Sequence, residues 1–225
     1  MRNLTAVIFD LDQTLLDKDC SLVRFADHQY DSFQLKIFGI DKAEFIHQFT
    51  LMNHVVRPKE EVYKELIELF QIDPSLITGM LEDLNRNFAR YAVGYPGLIE
   101  MLEELKASSF QLGMITNGRV FYQRNKIQSL GIENFFDEII ISEAVGLRKP
   151  DPAIFQLALT KLGVAASQSV FVGDNLKADI IPAKELGMAT IWKQKNTSNE
   201  AADIVCDDLR DMAGQIQKLM ALKTG

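Results

Sequence analysis

Two aspartates separated by one residue, Asp10 and Asp12, close an apolar run in V-I-F-D-L-D-Q-T-L-L-D, from Val7 to Asp17, with Thr14 just beyond them. Ala6-Val7-Ile8-Phe9 suits a buried strand of a parallel sheet. In open α/β sheets, ligands gather beyond the carboxyl ends of the strands. Carboxylates placed there are costly unless a cation or a catalytic task uses them. The plainer alternative is an Asp-rich turn that caps a helix through Asp or Thr.

Three later segments carry comparable groups. Gln111–Thr116 reads as a strand running into Thr116-Asn117-Gly118, where a hydroxyl, an amide and a glycine ahead of a helix offer donors to an anion. A strand over Glu138–Ser142 leads to Gly146-Leu147-Arg148-Lys149-Pro150-Asp151-Pro152. There Pro150 and Pro152 fix an extended approach, and Asp151 can cap the helix beginning near Pro152. Lys149, if close to carboxylates, would stay protonated and balance their repulsion. The strand Ser169–Val172 ends in Gly173-Asp174-Asn175-Leu176-Lys177-Ala178-Asp179. Gly173 permits a tight turn or a close backbone approach, Asp174 stands at the strand end as Asp10 does, and Asp179 lies about one helical turn further. Taken singly, each fits a helix cap or a solvated side chain. Independent caps would not produce the order Asp/Asp, Thr/Asn/Gly, Lys, Asp/Asp at the same end of four successive strands.

The elements that must position these groups fall into two patterns. From about Leu15 to Ala92 the chain reads as helical. Phe45, Phe49 and Met52 recur at helical spacing, as do Val62, Leu66, Ile67 and Phe70 behind Pro58. Asp73-Pro74 opens a further helix carrying Leu76, Ile77, Met80, Leu81 and Leu84. Gly94-Tyr95-Pro96-Gly97 breaks this pattern, and strands then alternate with helices. Further strands are expected at Met188–Trp192 and, as an edge, Asp203–Cys206. Helices are expected near Leu98–Ala107, Val120–Leu130, Ala153–Leu162, Ala178–Leu186 and Leu209–Leu222, and Gly131, Gly163 and Gly187 are placed to end three of them. Such alternation means a parallel sheet covered by helices on both faces. The expected organisation is a core of residues 1–16 and 95–225 with a helical insert of residues 17–94, hinged near Leu16–Asp17 and Gly94–Gly97 and placed like a lid over the strand ends.

Bulk properties narrow the function classes. The 225 residues are 47% hydrophobic and 24% charged, enough apolar content for a sizeable core. A net charge of −7 without a basic block argues against a nucleic-acid polymer or an anionic membrane as partner. It does not argue against an anionic substrate, because a local cation can reverse the field inside one pocket. Cys20 and Cys206 show no metal-type spacing and read as incidental thiols of a reducing compartment. M-R-N-L-T-A-V lacks the form of a signal peptide, which makes a cytoplasmic location the expectation.

Together these residues resemble the haloacid dehalogenase superfamily of phosphohydrolases, over nearly the whole chain. Asp10-Leu11-Asp12-Gln13-Thr14 resembles the family's D-x-D-x-T motif, with Gln13 where glycine is usual. Thr116-Asn117-Gly118 is similar to the second motif, Lys149 to the third, and Gly173-Asp174 with Asp179 to the acidic fourth. The resemblance implies an α/β, Rossmann-like doubly wound parallel sheet of order 3-2-1-4-5 and an α-helical cap inserted after the first motif. It implies Mg²⁺ held by the carboxylates of Asp10 and Asp174 and the main-chain carbonyl of Asp12, hard oxygen donors that suit this ion. Asp10 would attack phosphorus and form an aspartyl-phosphate; Asp12 would protonate the leaving oxygen and then activate water. Thr116 and Lys149 would act with them, and Leu11, Thr116, Asn117, Gly118 and Lys149 would bind the phosphate, in part through main-chain N–H groups. Thr14, Asn175 and Asp179 would support this set, Asp179 by holding Lys149 or a metal-bound water.

The function implied is a Mg²⁺-dependent phosphatase acting on a small phosphorylated metabolite of the nucleotide or sugar phosphate class. In style it is nearest to the pyrimidine nucleotidase, N-acylneuraminate phosphatase and phosphoglycolate phosphatase groups. The partner implied is a small-molecule phosphate ester, with no nucleic-acid polymer and no membrane, for a monomer or homodimer. A phosphomutase uses the same aspartyl-phosphate and acid/base, and a catalytically silent phosphate-binding relative is a further alternative. A dehalogenase would not need an aspartate at position 12, and a receiver domain would carry no long insert after its first strand. Arg24, His28, Lys36, His47, His54 and Arg57 are candidates to meet the leaving group, and Phe121 and Tyr122 either pack in the core or touch the cap.

Overall fold

A computed structural model describes residues 3–55, 57–195 and 200–221. Along the chain run β1 (Ala6–Phe9), α1 (Lys18–Ser32), α2 (Lys42–His54), α3 (Lys59–Phe70), α4 (Ile77–Asn87), α5 (Leu98–Ala107) and β2 (Gln111–Thr116). They are followed by α6 (Val120–Ser129), β3 (Glu138–Ile141), α7 (Ser142–Val145), α8 (Pro152–Leu162) and β4 (Ser169–Gly173). The last elements are α9 (Ile181–Glu185), β5 (Ala189–Trp192), β6 (Ile204–Val205) and α10 (Met212–Ala221). The chain divides into two compact units, Met1–Leu16 with Gly94–Gly225, and Asp17–Val93.

The first unit is a six-stranded sheet of order β3-β2-β1-β4-β5-β6, parallel throughout. The five-strand order implied by the resemblance is extended by β6, a two-residue edge strand within the expected Asp203–Cys206 segment. Central β1 and β4 are buried along their whole length, as strands covered on both faces require. In register, Phe9 lies opposite Met114 of β2 and Val172 of β4, so the residues after these three strands emerge together. Ile8, Ile115, Ile154, Phe155, Leu159 and Phe171 share one core cluster, with Phe155 and Phe171 edge to face at 5.1 Å.

Boundaries shift where side chains compete with the expected period. Ser142 leaves β3 and starts the short α7, because its hydroxyl serves Gly118 instead of a sheet face. Ala178–Leu186 is not one α-helix: Leu176–Ile180 forms a π-helical turn before α9. The N–H groups of Asp179 and Ile180 both donate to the Asn175 carbonyl, and Pro182 in the first turn of α9 has no N–H to give. The end expected at Leu222 lies outside the described residues. No helix among the described residues is long and apolar enough to cross a membrane.

The second unit is built from α1 to α4. Phe25, Phe45, Phe49, Tyr63, Leu66 and Met80 form its fully buried centre, at the helical spacings that the sequence displays. The buried Gln29 amide is satisfied on both sides, donating to the Met80 carbonyl at 2.8 Å and accepting from the Tyr63 hydroxyl at 2.7 Å. Gly94 groups with the sheet-bearing unit: it bridges Leu16, and a Cβ there would lie 2.5 Å from Leu98 Cδ2.

Close packing between β2, β1 and α8 leaves no room at Gly113, where a Cβ would meet Leu162 Cδ1 at 2.9 Å and Ile8 Cγ1 at 3.2 Å. Gly113→Val is expected to lower unfolding free energy by about 1–3 kcal/mol through overpacking. Denaturant unfolding that leaves the midpoint unchanged would contradict this packing.

Candidate active site

Lys149 is the buried centre of the site. Its Nζ lies 2.6 Å from Asp10 Oδ1 and 2.6 Å from Asp179 Oδ1, and all three side chains are nearly solvent-free. Asp10 leaves β1 with its N–H held by the Val172 carbonyl of β4, and its other carboxylate oxygen accepts from the fully buried Thr14 hydroxyl at 3.3 Å. Asp174 follows β4, and the indole N–H of Trp192 fixes its carbonyl at 2.7 Å. One carboxylate oxygen from each of Asp10, Asp174 and Asp179 falls within 4.8 Å of the others. Three carboxylates facing one lysine leave an excess of negative charge, so this hard oxygen set fits a divalent cation.

The electrostatics record that excess. Burial, opposed by Lys149 and reinforced by the charges of Asp179 and Asp174, pushes the Asp10 carboxyl up to about 8. Burial and the charge of Asp179 push Asp174 up to about 6 against the pull of Lys149. Burial alone would lower Lys149, but the charges and hydrogen bonds of Asp10 and Asp179 outweigh it and the net shift is upward.

The structure brings Asp10, Asp174 and Asp179 together and gives several other sequence candidates different tasks. Asn117 spends its side chain on Lys149, donating to the Lys149 carbonyl and accepting its N–H, both at 2.9 Å. The Gly118 N–H donates to Ser142 Oγ at 2.9 Å. Leu11 is fully buried and its carbonyl accepts the N–H groups of Thr14, Leu15 and Leu16, so it can serve an anion only through its main chain. Asp12 stands outside the carboxylate cluster, its side chain engaged by α6. Asn175 caps the turn that carries Asp179: its Oδ1 accepts from Lys177 and Ala178 N–H, and its own N–H donates to Asp179 Oδ2 at 3.0 Å. Gln13 takes a left-handed backbone, φ 63°, which accounts for the glycine usual there, and its amide oxygen accepts from the Tyr95 hydroxyl at 2.9 Å.

Two residues escaped the sequence reading. Lys126 Nζ lies 2.8 and 3.0 Å from the two Asp12 oxygens. Gln123 Nε2 donates to Asp12 Oδ2 at 3.0 Å and to Thr116 Oγ1 at 2.6 Å. The available signal was a glutamine one helical turn before Ile127, on the face of α6 that turns inward.

In the helical unit, Arg24, Lys36 and His47 are exposed. Arg57 pairs with Glu65, and His54 lies 3.7 Å from Asp19. His28 stacks on Tyr91 at 4.7 Å and meets Asp83 at 3.3 Å. Phe121 is exposed and lies edge to face with Tyr122 at 5.6 Å.

The model of the haloacid dehalogenase-like hydrolases matches residues 7–193. The chain belongs to this family. It is 31% identical over 227 residues to a glyceraldehyde 3-phosphate phosphatase of Methanocaldococcus jannaschii, covering 96% of this chain and 98% of that one. Among solved structures, a HAD phosphatase from Thermococcus onnurineus is 28% identical with a TM-score of 0.65, covering 95% of this chain and 98% of that one. A protein assigned as a beta-phosphoglucomutase from Thermotoga maritima shares the fold, with a TM-score of 0.73 at 23% identity over 96% of this chain and all of that one. In this haloacid dehalogenase-like chain Asp10, Thr116 and Asp174 lie at or just beyond the ends of β1, β2 and β4, and Lys149 lies in the loop after α7.

Gly173 lets Asp179 reach Lys149: a Cβ on it would lie 2.6 Å from both Cβ and Oδ2 of Asp179. Gly173→Ala is expected to cost about 1–3 kcal/mol in stability by forcing Asp179 off its partners. An unchanged denaturation midpoint would show that the approach is not needed.

Proposed function

We propose that this phosphoric monoester hydrolase of the haloacid dehalogenase-like family is a Mg²⁺-dependent phosphatase of small phosphorylated metabolites that works through an aspartyl-phosphate. The convergence of Asp10, Asp174 and Asp179 within 4.8 Å, with Lys149 at 2.6 Å from Asp10, carries the reading. Asp10 is the nucleophile: Lys149 and Thr14 hold its carboxylate in one orientation ahead of in-line attack on phosphorus. Asp12 gives a proton to the leaving oxygen and recovers one from the water that cleaves the aspartyl-phosphate. Thr116 and main-chain N–H groups beside it receive the phosphoryl oxygens, and Lys149 offsets their charge. Asp10, Asp174 and the Asp12 carbonyl would hold Mg²⁺, with Asp179 keeping Lys149 in place. When bound, the ion neutralises charge on the transferring group.

The helical unit, Asp17–Val93, is proposed as the cap that selects the leaving group. A sugar phosphate of the triose size is favoured within the nucleotide and sugar phosphate class, because the relative from M. jannaschii is a glyceraldehyde 3-phosphate phosphatase and aligns along almost the whole chain. The same reading has the enzyme acting in the cytoplasm.

Purified protein is expected to hydrolyse p-nitrophenyl phosphate with Mg²⁺ and to lose that activity in excess chelator or as Asp10→Asn; full activity in either case would reject the mechanism. Asp12→Ala should lose roughly a hundredfold or more on an alkyl phosphate. Lys149→Ala should lower kcat/KM.

Metal linkage supplies a measurement independent of turnover. Asp10 and Asp174 bind protons in the folded chain at pH values where the unfolded chain has released them. Their contribution to stability is full below the ordinary carboxylate range. It is lost as pH rises through about 6 for Asp174 and about 8 for Asp10. A cation that replaces those protons binds better as pH rises. The Mg²⁺-induced increase in Tm should therefore grow between about pH 5 and about pH 8 and shrink in Asp174→Asn. An increase independent of pH would contradict the assignment of the ion to this cluster.

A further inference from the structure

Thr116 Oγ1, Gln123, Lys126 and Asp12 form one hydrogen-bonded chain whose direction is determined by chemistry. The Lys126 ammonium has only donors, so the amide oxygen of Gln123 must face it, and Nζ donates to Oε1 at 2.9 Å. The amide nitrogen then points the other way, and it donates to Asp12 Oδ2 at 3.0 Å and to Thr116 Oγ1 at 2.6 Å. Asp12 Oδ2 is anchored twice, by Gln123 and by Lys126 at 3.0 Å. Because Oγ1 of Thr116 accepts from the amide, its own proton is left to donate elsewhere.

Gly118 completes the arrangement. It lies at φ 153°, and a Cβ there would sit 2.9 Å from Cγ and 3.0 Å from Cδ of Gln123. The absence of a side chain at Gly118 thus gives the Gln123 amide its place between Thr116 and Asp12.

We propose that Gln123 and Lys126 are positioning residues that orient two reacting groups at once: the Asp12 carboxyl toward the leaving oxygen and the Thr116 hydroxyl toward a phosphoryl oxygen. The proposal rests on the aspartyl-phosphate reading above. In the first half-reaction the bond between phosphorus and the leaving oxygen breaks, Asp10 takes the phosphoryl group, and the Asp12 proton goes to the leaving oxygen. In the second, water attacks phosphorus, the Asp10 oxygen leaves, and Asp12 recovers a proton from that water. Both transfers need the Asp12 oxygen within hydrogen-bond reach of the reacting atom, and the paired donors of α6 set that position.

The test compares kcat/KM for two esters with Mg²⁺ present. p-Nitrophenolate leaves without a proton, whereas the alkoxide of an alkyl phosphate needs one, and kcat/KM reports only the steps through aspartyl-phosphate formation. In Lys126→Met both values are expected to fall, with the alkyl phosphate falling at least about tenfold further, and Lys126→Arg is expected to recover most of that difference. Gln123→Met, which keeps side-chain length and removes the amide, should show the same leaving-group dependence and weaker inhibition by inorganic phosphate. Equal losses on both esters in the two Met variants would overturn the positioning role while leaving the hydrolase reading intact. A wild-type chain inactive on both esters would overturn that reading and this proposal with it. If Lys126→Met does not fold, Gln123→Met and Lys126→Arg decide the question by the same ratio.

Discussion

A lysine ammonium without water must be surrounded by acceptors, and the rest of this site follows from how that need is met at Lys149. Asp10 and Asp179 approach it from the ends of two different elements, each at 2.6 Å. Neither carboxylate is stable in that setting without the lysine, and removing the lysine leaves buried negative charge uncompensated. Burial, reinforced by the charge of Asp179, keeps Asp10 and Asp174 above the ordinary carboxylate range, and the excess of acid over base makes the cluster receptive to a cation. Charge balance thus links stability of the sheet end to the chemistry that it carries.

Much of the polar material near the site holds backbone and not substrate. Asn117 grips both the N–H and the carbonyl of Lys149 and so sets the origin of the lysine side chain. Asn175 caps the π-helical turn and directs Asp179 back over Gly173. Trp192 fixes Asp174 from the neighbouring strand. These contacts show amide side chains holding the loops that carry Lys149 and Asp179.

The two aspartates of the first motif have separate partners, although only one residue lies between them. Asp10 is held by Lys149 and Thr14, and Asp12 by Lys126 and Gln123. One lysine and one neutral donor for each give the two carboxylates separate surroundings.

The sequence by itself determined the parallel sheet, the helical segment after β1, and the four strand ends that carry acids, lysine and threonine. Each is encoded locally: apolar runs of strand length, helical periodicity, and polar residues where a run stops. Leu98–Ala107 and Gln111–Thr116 emerge with the limits read from their pattern, since nothing competes with it there. Only the tertiary structure decided which polar atoms meet. The hydroxyl of Ser142 takes the Gly118 N–H from 24 positions away, and Lys126 reaches Asp12 across 114. Hydrogen-bond partners over such separations depend on strand register and helix rotation, which no local pattern records, and so Gln123 and Lys126 became visible only once α6 lay beside β1.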